Sequence, residues 1–80
     1  MNIKILGTGC PKCKKLEENT KEAIKGLSGD FSIEKVTSLN DVMDYGVMIT
    51  PALVINEDVV SSGKLLSADA IQKIIRNRKD

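Results

Sequence analysis

Ile3-Lys4-Ile5-Leu6-Gly7-Thr8-Gly9-Cys10-Pro11-Lys12-Cys13 spells out a strand, a turn and the start of a helix in one uninterrupted stretch. The apolar run is short, rich in β-branched residues and closed by Gly7-Thr8-Gly9, the punctuation of a flexible turn. Pro11 suits the first helical position, where its missing N–H leaves no hydrogen bond unmade and its fixed φ already matches the helix. Beyond it Cys13, Leu16, Thr20, Ala23, Ile24 and Leu27 recur at three- and four-residue steps, while Lys14, Lys15, Glu17, Glu18, Lys21, Glu22 and Lys25 fill the opposite face. That is the pattern of an amphipathic helix. The pairs Glu17 with Lys21 and Glu22 with Lys25 add only about 0.2–0.5 kcal/mol each, so its stability must come from packing.

Ser28-Gly29-Asp30 breaks the helical pattern, and Phe31-Ser32-Ile33-Glu34-Lys35-Val36 alternates as a second strand, placed at an edge by its charges. Strand, helix, strand in this order implies a parallel pair joined by a right-handed crossover. A short second helix is expected over Asn40 to Tyr45, capped by Ser38 or Asn40 and stopped by Gly46. After Thr50-Pro51, Ala52-Leu53-Val54-Ile55 reads as a buried strand, and Asn56-Glu57-Asp58 as a turn into Val59-Val60-Ser61-Ser62, giving a hairpin. Gly63 serves the turn that follows, where a permissive backbone is needed. Ser67 caps a last helix with Leu66 and Ile71 as its staple, Asp69 in the first turn, and Ile71, Ile74 and Ile75 as its apolar face. Its basic end, Arg76 to Lys79, reads as a solvated helix terminus. The sum is one α/β domain over residues 1–80 in the order β-α-β-α-β-β-α. The sheet is four-stranded and mixed, in strand order 2-1-3-4, with the third strand antiparallel to the first two and helices on both faces.

Composition narrows the chemistry. The 80 residues are 41% hydrophobic and 29% charged, close to the globular average. A domain of this size buries only about 60% of its unfolded surface, which leaves little room for an enclosed cofactor. None is expected. Lys and Arg number 12 against 11 Asp and Glu, and a net charge of +1 argues against coating a polyanion. Histidine and tryptophan are absent, and there is one Tyr and one Phe. This removes imidazole bases, Ser-His-Asp and Cys-His nucleophiles, HExxH zinc sites and aromatic platforms for stacking bases. No stretch approaches the roughly 20 apolar residues of a membrane span, and no basic and apolar leader opens the chain. The expectation is a cytoplasmic monomer that binds neither nucleic acid nor membrane.

Cys10 and Cys13, the only two cysteines, remain as the chemistry. In a reducing compartment a close pair is more often catalytic or metal-binding than a staple. The spacing puts Cys10 in the turn and Cys13 in the first helical turn, within disulfide reach, the first sulfur toward solvent and the second deeper. The helix N-terminus, with Pro11 and Lys12 between the cysteines and Lys14 and Lys15 beyond, favours a thiolate at Cys10. Cys10 can then attack a substrate disulfide and Cys13 resolve the adduct. Two alternatives stand beside this. A staple closing so short a loop gains only roughly 2 kcal/mol. A soft-metal site would use the same two thiolates, and Gly7-Thr8-Gly9-Cys10 has the look of a copper-chaperone loop. Zinc would require about four ligands, which this chain could supply only by dimerising or recruiting carboxylates. Copper-chaperone domains, as a resemblance, run strand-helix-strand-strand-helix-strand, whereas this chain is expected to end in a helix after a hairpin. Met43 and Met48 read as core or rim residues rather than ligands.

Together, the C-x-x-C after the first strand, the distance to Thr50-Pro51, and the hairpin and final helix resemble the thioredoxin-like superfamily over almost the whole chain. Gly9-Cys10-Pro11-Lys12-Cys13, Tyr45-Gly46-Val47 and Thr50-Pro51-Ala52-Leu53-Val54-Ile55-Asn56 are similar to the small redox-active disulfide proteins, minimal thioredoxins of glutaredoxin-like proportions. The resemblance implies a cis Pro51 lying against the cysteine pair. It also implies a Thr50 backbone that pairs with substrate as an added strand. The implied activity is reduction of protein disulfides, with electrons from a thioredoxin-reductase-type donor. Where thioredoxins carry an aromatic before the first cysteine, this chain has Gly9, and Pro11-Lys12 is closer to the Cys-Pro-x-Cys of glutaredoxins. Ile3-Lys4-Ile5-Leu6 holds no counterpart of the buried carboxylate beneath the thioredoxin pair, and the paired glycines that bind glutathione are not evident around Ser61-Ser62-Gly63.

Overall fold

A computed structural model describes residues 1–7, 9, 11–27 and 29–78. Its elements are β1 (Asn2–Leu6), α1 (Pro11–Lys25), β2 (Ser32–Val36), α2 (Leu39–Asp44), β3 (Ala52–Ile55), β4 (Asp58–Ser62) and α3 (Ala68–Asn77). The sheet runs β2-β1-β3-β4. β1 and β2 are parallel with Asn2 opposite Ser32 and Leu6 opposite Val36. β3 is antiparallel to β1, with Ile3 opposite Ile55 and Leu6 opposite Ala52. The expected strand order and directions hold because the crossover rule and the tight hairpin leave few other ways to connect these pieces.

Strand alternation sorts the side chains into two cores. Ile3, Ile5, Leu53 and Ile55 meet Leu16 and Ala23 of α1 and Ile71 and Ile75 of α3 on one face. Leu6, Ala52 and Val54 meet Val42 of α2 and Val47 on the other. α1 buries Cys13, Leu16, Thr20 and Ala23, and the Thr20 hydroxyl donates to the Leu16 carbonyl at 2.7 Å, which satisfies the one buried polar side chain of that stripe. Two amides pin α3 and its approach to α1: Gln72 Nε2 donates to the Ala23 carbonyl and Asn19 Nδ2 to the Leu66 carbonyl, both at 2.9 Å. Ser67 caps α3 by accepting from the Ala70 N–H at 3.2 Å.

Several boundaries move. α2 begins and ends one residue earlier than the sequence indicates: Ser38 holds the N-cap position without a side-chain cap bond and Tyr45 is the C-cap. β2 starts at Ser32, and Phe31 instead packs against the larger core. The hairpin turn is Asn56-Glu57, both at positive φ (50° and 69°), so Asp58 joins β4. A register irregularity at Leu53/Val54 sets Leu53 opposite Ser61 but Val54 opposite Val59, the signature of a bulge in the edge strand. The basic end of α3 is not simply solvated. Arg78, 17% exposed at its side chain, pairs with Asp58 at 3.2 Å and ties the helix end to the hairpin; Lys79 lies outside the described residues.

Candidate active site

The site forms where β1 ends and β3 begins, at one end of the sheet. Gly7 continues β1 by donating its N–H to the Val36 carbonyl at 2.9 Å. Cys13, in the first turn of α1, is buried, 6% exposed. A side chain cannot be fitted at Gly7: a β-carbon there would meet the Cys13 Sγ and stand 3.1 Å from the Cys13 Cβ. The Thr50 Cβ lies 3.9 Å from the same point. Gly7 is therefore the floor on which Cys13 and Thr50 approach each other, a close contact only a missing β-carbon permits. Cys13 is disulfide-bonded. Cys10, the chain's other cysteine, lies outside the described residues.

The Thr50–Pro51 peptide bond is cis. Pro51 is fully buried and its carbonyl accepts the Gly63 N–H at 2.8 Å. Gly63 has φ of +71°, and a β-carbon on it would fall 2.6 Å from Ile49 Cγ2. The turn after β4 thus supports both Pro51 and the Ile49 side chain. Pro11 and Lys12 are exposed at the start of α1, Thr50 is half-buried, and Gly9 adopts φ of +94° in the turn ahead of the helix. The structure thus brings together Cys13, Thr50 and Pro51 from the sequence reading, with Pro11 and Lys12 at the solvent side of the same helical turn.

Two features escaped the sequence reading. The first is how open the rim beside Thr50 is: of the core-or-rim reading of Met43 and Met48 the rim half holds, with Met48 96% exposed and Leu39, Met43 and Ile49 more than half exposed. Leu39, Met43 and Met48 join Val42, Val47 and Thr50 around a groove of about 240 Å³. The cue was the segment Val47-Met48-Ile49, apolar yet outside any element. The second feature is a charged knot on the face covered by α2. Lys4 Nζ, on a side chain 19% exposed, donates to Tyr45 Oη and to Glu57 Oε1, each at 2.8 Å, and Tyr45 donates to Glu57 Oε2 at 3.0 Å. The ammonium also sits 5.5 Å from the Tyr45 ring centre. Hydrogen bonds to Glu57, then to Tyr45, hold the Lys4 ammonium well above the usual lysine range. The Lys4 bond, then that from Tyr45, pulls the Glu57 carboxyl below the usual carboxylate value. The cue was Lys4 inside an apolar strand, since a cation carried there must find partners.

A central mixed sheet with a half-cystine at the first turn of the crossover helix, approached across Gly7 by the Thr50 of a cis Thr50–Pro51 bond, defines a thioredoxin-like α/β protein. The model of the thioredoxin domain matches residues 1–76. A thioredoxin of Methanocaldococcus jannaschii is 37% identical over 75 residues, 94% of this chain and 86% of that protein. A thioredoxin of Methanothermobacter thermautotrophicus is 35% identical over 75 residues, 94% of this chain and 97% of that protein. The chain belongs to the thioredoxin family, a family of oxidoreductases. Among the described residues no group of three or more His, Cys, Asp or Glu converges as a metal site, and no helix is long and apolar enough to cross a membrane.

Proposed function

We propose that this protein is a single-domain cytoplasmic thiol-disulfide oxidoreductase that reduces protein disulfides through Cys10 and Cys13. The observation that carries this is the seat of Cys13: buried at the start of α1, packed on Gly7 and facing Thr50. A resolving sulfur needs such a place, because it must reach the neighbouring cysteine while staying closed to outside disulfides.

In the reduced protein the Cys10 thiolate, favoured by the positive potential of the helix start and Lys12, attacks one sulfur of the substrate disulfide. A Cys10–substrate disulfide forms and the other substrate sulfur leaves as thiolate, taking a proton from water. The Cys13 thiolate then attacks the Cys10 sulfur. The second substrate thiol is released, and two electrons have passed from the Cys10/Cys13 dithiol to the substrate. A thioredoxin-reductase-type dithiol donor returns them. The Thr50 backbone, ahead of Pro51, holds the substrate strand beside Cys13. The redox reading is favoured over a metal carrier by the β3–β4 hairpin followed directly by α3 and by the thioredoxin-domain match over residues 1–76.

The Cys13→Ser variant tests the assignment of roles. Mixed with a disulfide-bearing protein it should accumulate a covalent adduct at Cys10, visible by mass spectrometry and released by dithiothreitol. Wild type should show none at steady state. An adduct that forms in Cys10→Ser, at Cys13, and not in Cys13→Ser would reverse nucleophile and resolver.

A further inference from the structure

The apolar groove lined by Thr50 and the start of α1, which holds Cys13, carry opposite kinds of unsatisfied surface, and Thr50 and Cys13 approach each other across Gly7. On one side Leu39, Met43, Met48 and Ile49 stand open to water. Large apolar side chains grouped in this way mark a surface that another molecule covers. Methionines suit it because their unbranched thioethers repack against differing side chains. On the other side the first turn of α1 has no acidic residue. Lys12 and Lys14 are exposed and make no ion pair among the described residues. Lys15 is committed to Glu18 at 3.8 Å, and Glu17 to Lys21 and Lys35 at 3.7 and 3.6 Å, so the carboxylates of α1 leave the charge of Lys12 and Lys14 uncancelled.

The helix α2 divides these chemistries. Its Leu39, Val42 and Met43 line the groove, whereas Asp41 and Asp44 line a separate cavity with Lys4, Tyr45 and Glu57. An anionic partner is therefore attracted to the α1 side of the site and repelled from the far side of α2, which fixes one orientation. We infer that the substrates of this site are protein disulfides set in a segment that is apolar on one side of the bridge and acidic on the other. The apolar side covers Met43 and Met48, and the acidic side meets Lys12 and Lys14. This inference rests on the redox function proposed above and adds the chemistry of the partner to it.

Three synthetic peptides, each closed by one disulfide, separate the two claims: one with leucine and glutamate flanks, one with the glutamates changed to lysine, one with the leucines changed to serine. Rates are read as kcat/KM with dithiothreitol as donor, beside hydroxyethyl disulfide as a small uncharged substrate. At low ionic strength wild type should prefer the glutamate peptide over the lysine peptide by about tenfold, and that preference should shrink severalfold at roughly 0.5 M salt. It should prefer leucine over serine flanks by about tenfold at either salt. Lys14→Glu should bring the glutamate-to-lysine ratio close to one and leave the leucine-to-serine ratio in place; Met43→Ser with Met48→Ser should do the reverse. Because each ratio is taken within one variant, a change in overall rate cancels. Turnover of hydroxyethyl disulfide with both wild-type peptide ratios within twofold of one would overturn the inference while sparing the redox function. Turnover of none of the four substrates would overturn both.

Discussion

The two faces of the sheet are built from the same strands and end differently. Under α1 and α3, Ile3, Ile5, Leu53 and Ile55 are closed over by Leu16, Ala23, Ile71 and Ile75, and none of these eight reaches solvent beyond a few per cent. Under α2 the core is smaller, and a run of large apolar side chains beside it stays in water. The difference follows from helix length. α1 and α3 have 15 and 10 residues and cover their face, whereas the 6 residues of α2 present barely two turns. The closed face supplies the stability that a small domain has in short supply. The uncovered stretch is where the cis-proline loop faces Cys13, so the apolar surface left open is surface beside the chemistry.

Stability measurements should break along this line. Leu53→Ala removes a fully buried side chain from the closed face and should cost about 2–5 kcal/mol in denaturant unfolding. Met48→Ser, on the open side, should change stability by less than about 0.5 kcal/mol. Comparable losses from the two would mean that the exposed run is structural and that the contrast between the faces is false. Gly7→Ala sharpens the comparison at the junction itself. The added methyl runs into Cys13 and should destabilise by about 1–3 kcal/mol. A harmless Gly7→Ala would show that Cys13 does not rest on that glycine.

The smallest expected effect concerns the charged knot under α2. The folded carboxyl of Glu57 lies below its ordinary value of 4.5, so it binds its proton less readily than in the unfolded chain. Its contribution to stability is complete above about pH 4.5 and is lost as the pH falls through the lower folded value. Lys4 behaves oppositely: its contribution is complete below its unfolded pKa and would be lost only far into the alkaline range. A wild-type Tm should therefore fall more steeply between pH 4.5 and pH 2 than that of Glu57→Gln. Parallel curves would show that the knot adds nothing to the α2 face.

Much of this was legible in the sequence, for identifiable reasons. The strand order followed from one crossover and one tight hairpin, and the α1 stripe from Cys13, Leu16, Thr20 and Ala23 at helical spacing. The caps were less equal. Ser67 announced α3 because its hydroxyl does the capping, whereas Ser38 and Asn40 competed for α2 and neither local signal was strong, since Ser38 makes no side-chain cap bond. The knot joining Lys4, Tyr45 and Glu57 was out of reach because it brings together three segments far apart in the chain, each ordinary by itself. The bulge opposite Leu53 and the Arg78–Asp58 pair are likewise products of tertiary fit. The family motif was readable as C-x-x-C plus Thr50-Pro51. The role of Gly7 was not, since a glycine in a turn looks the same whether it permits a bend or makes way for a sulfur.

The central claim is that Cys10 and Cys13 turn over disulfides, and dithiothreitol-dependent reduction of insulin tests it most directly. Precipitation of the insulin B chain is followed in the presence of metal-free wild type, Cys10→Ser, or no protein. The account predicts that wild type shortens the lag several-fold while Cys10→Ser matches dithiothreitol alone. A wild type that fails to accelerate the reaction, or a Cys10→Ser variant that accelerates it equally, would contradict the account.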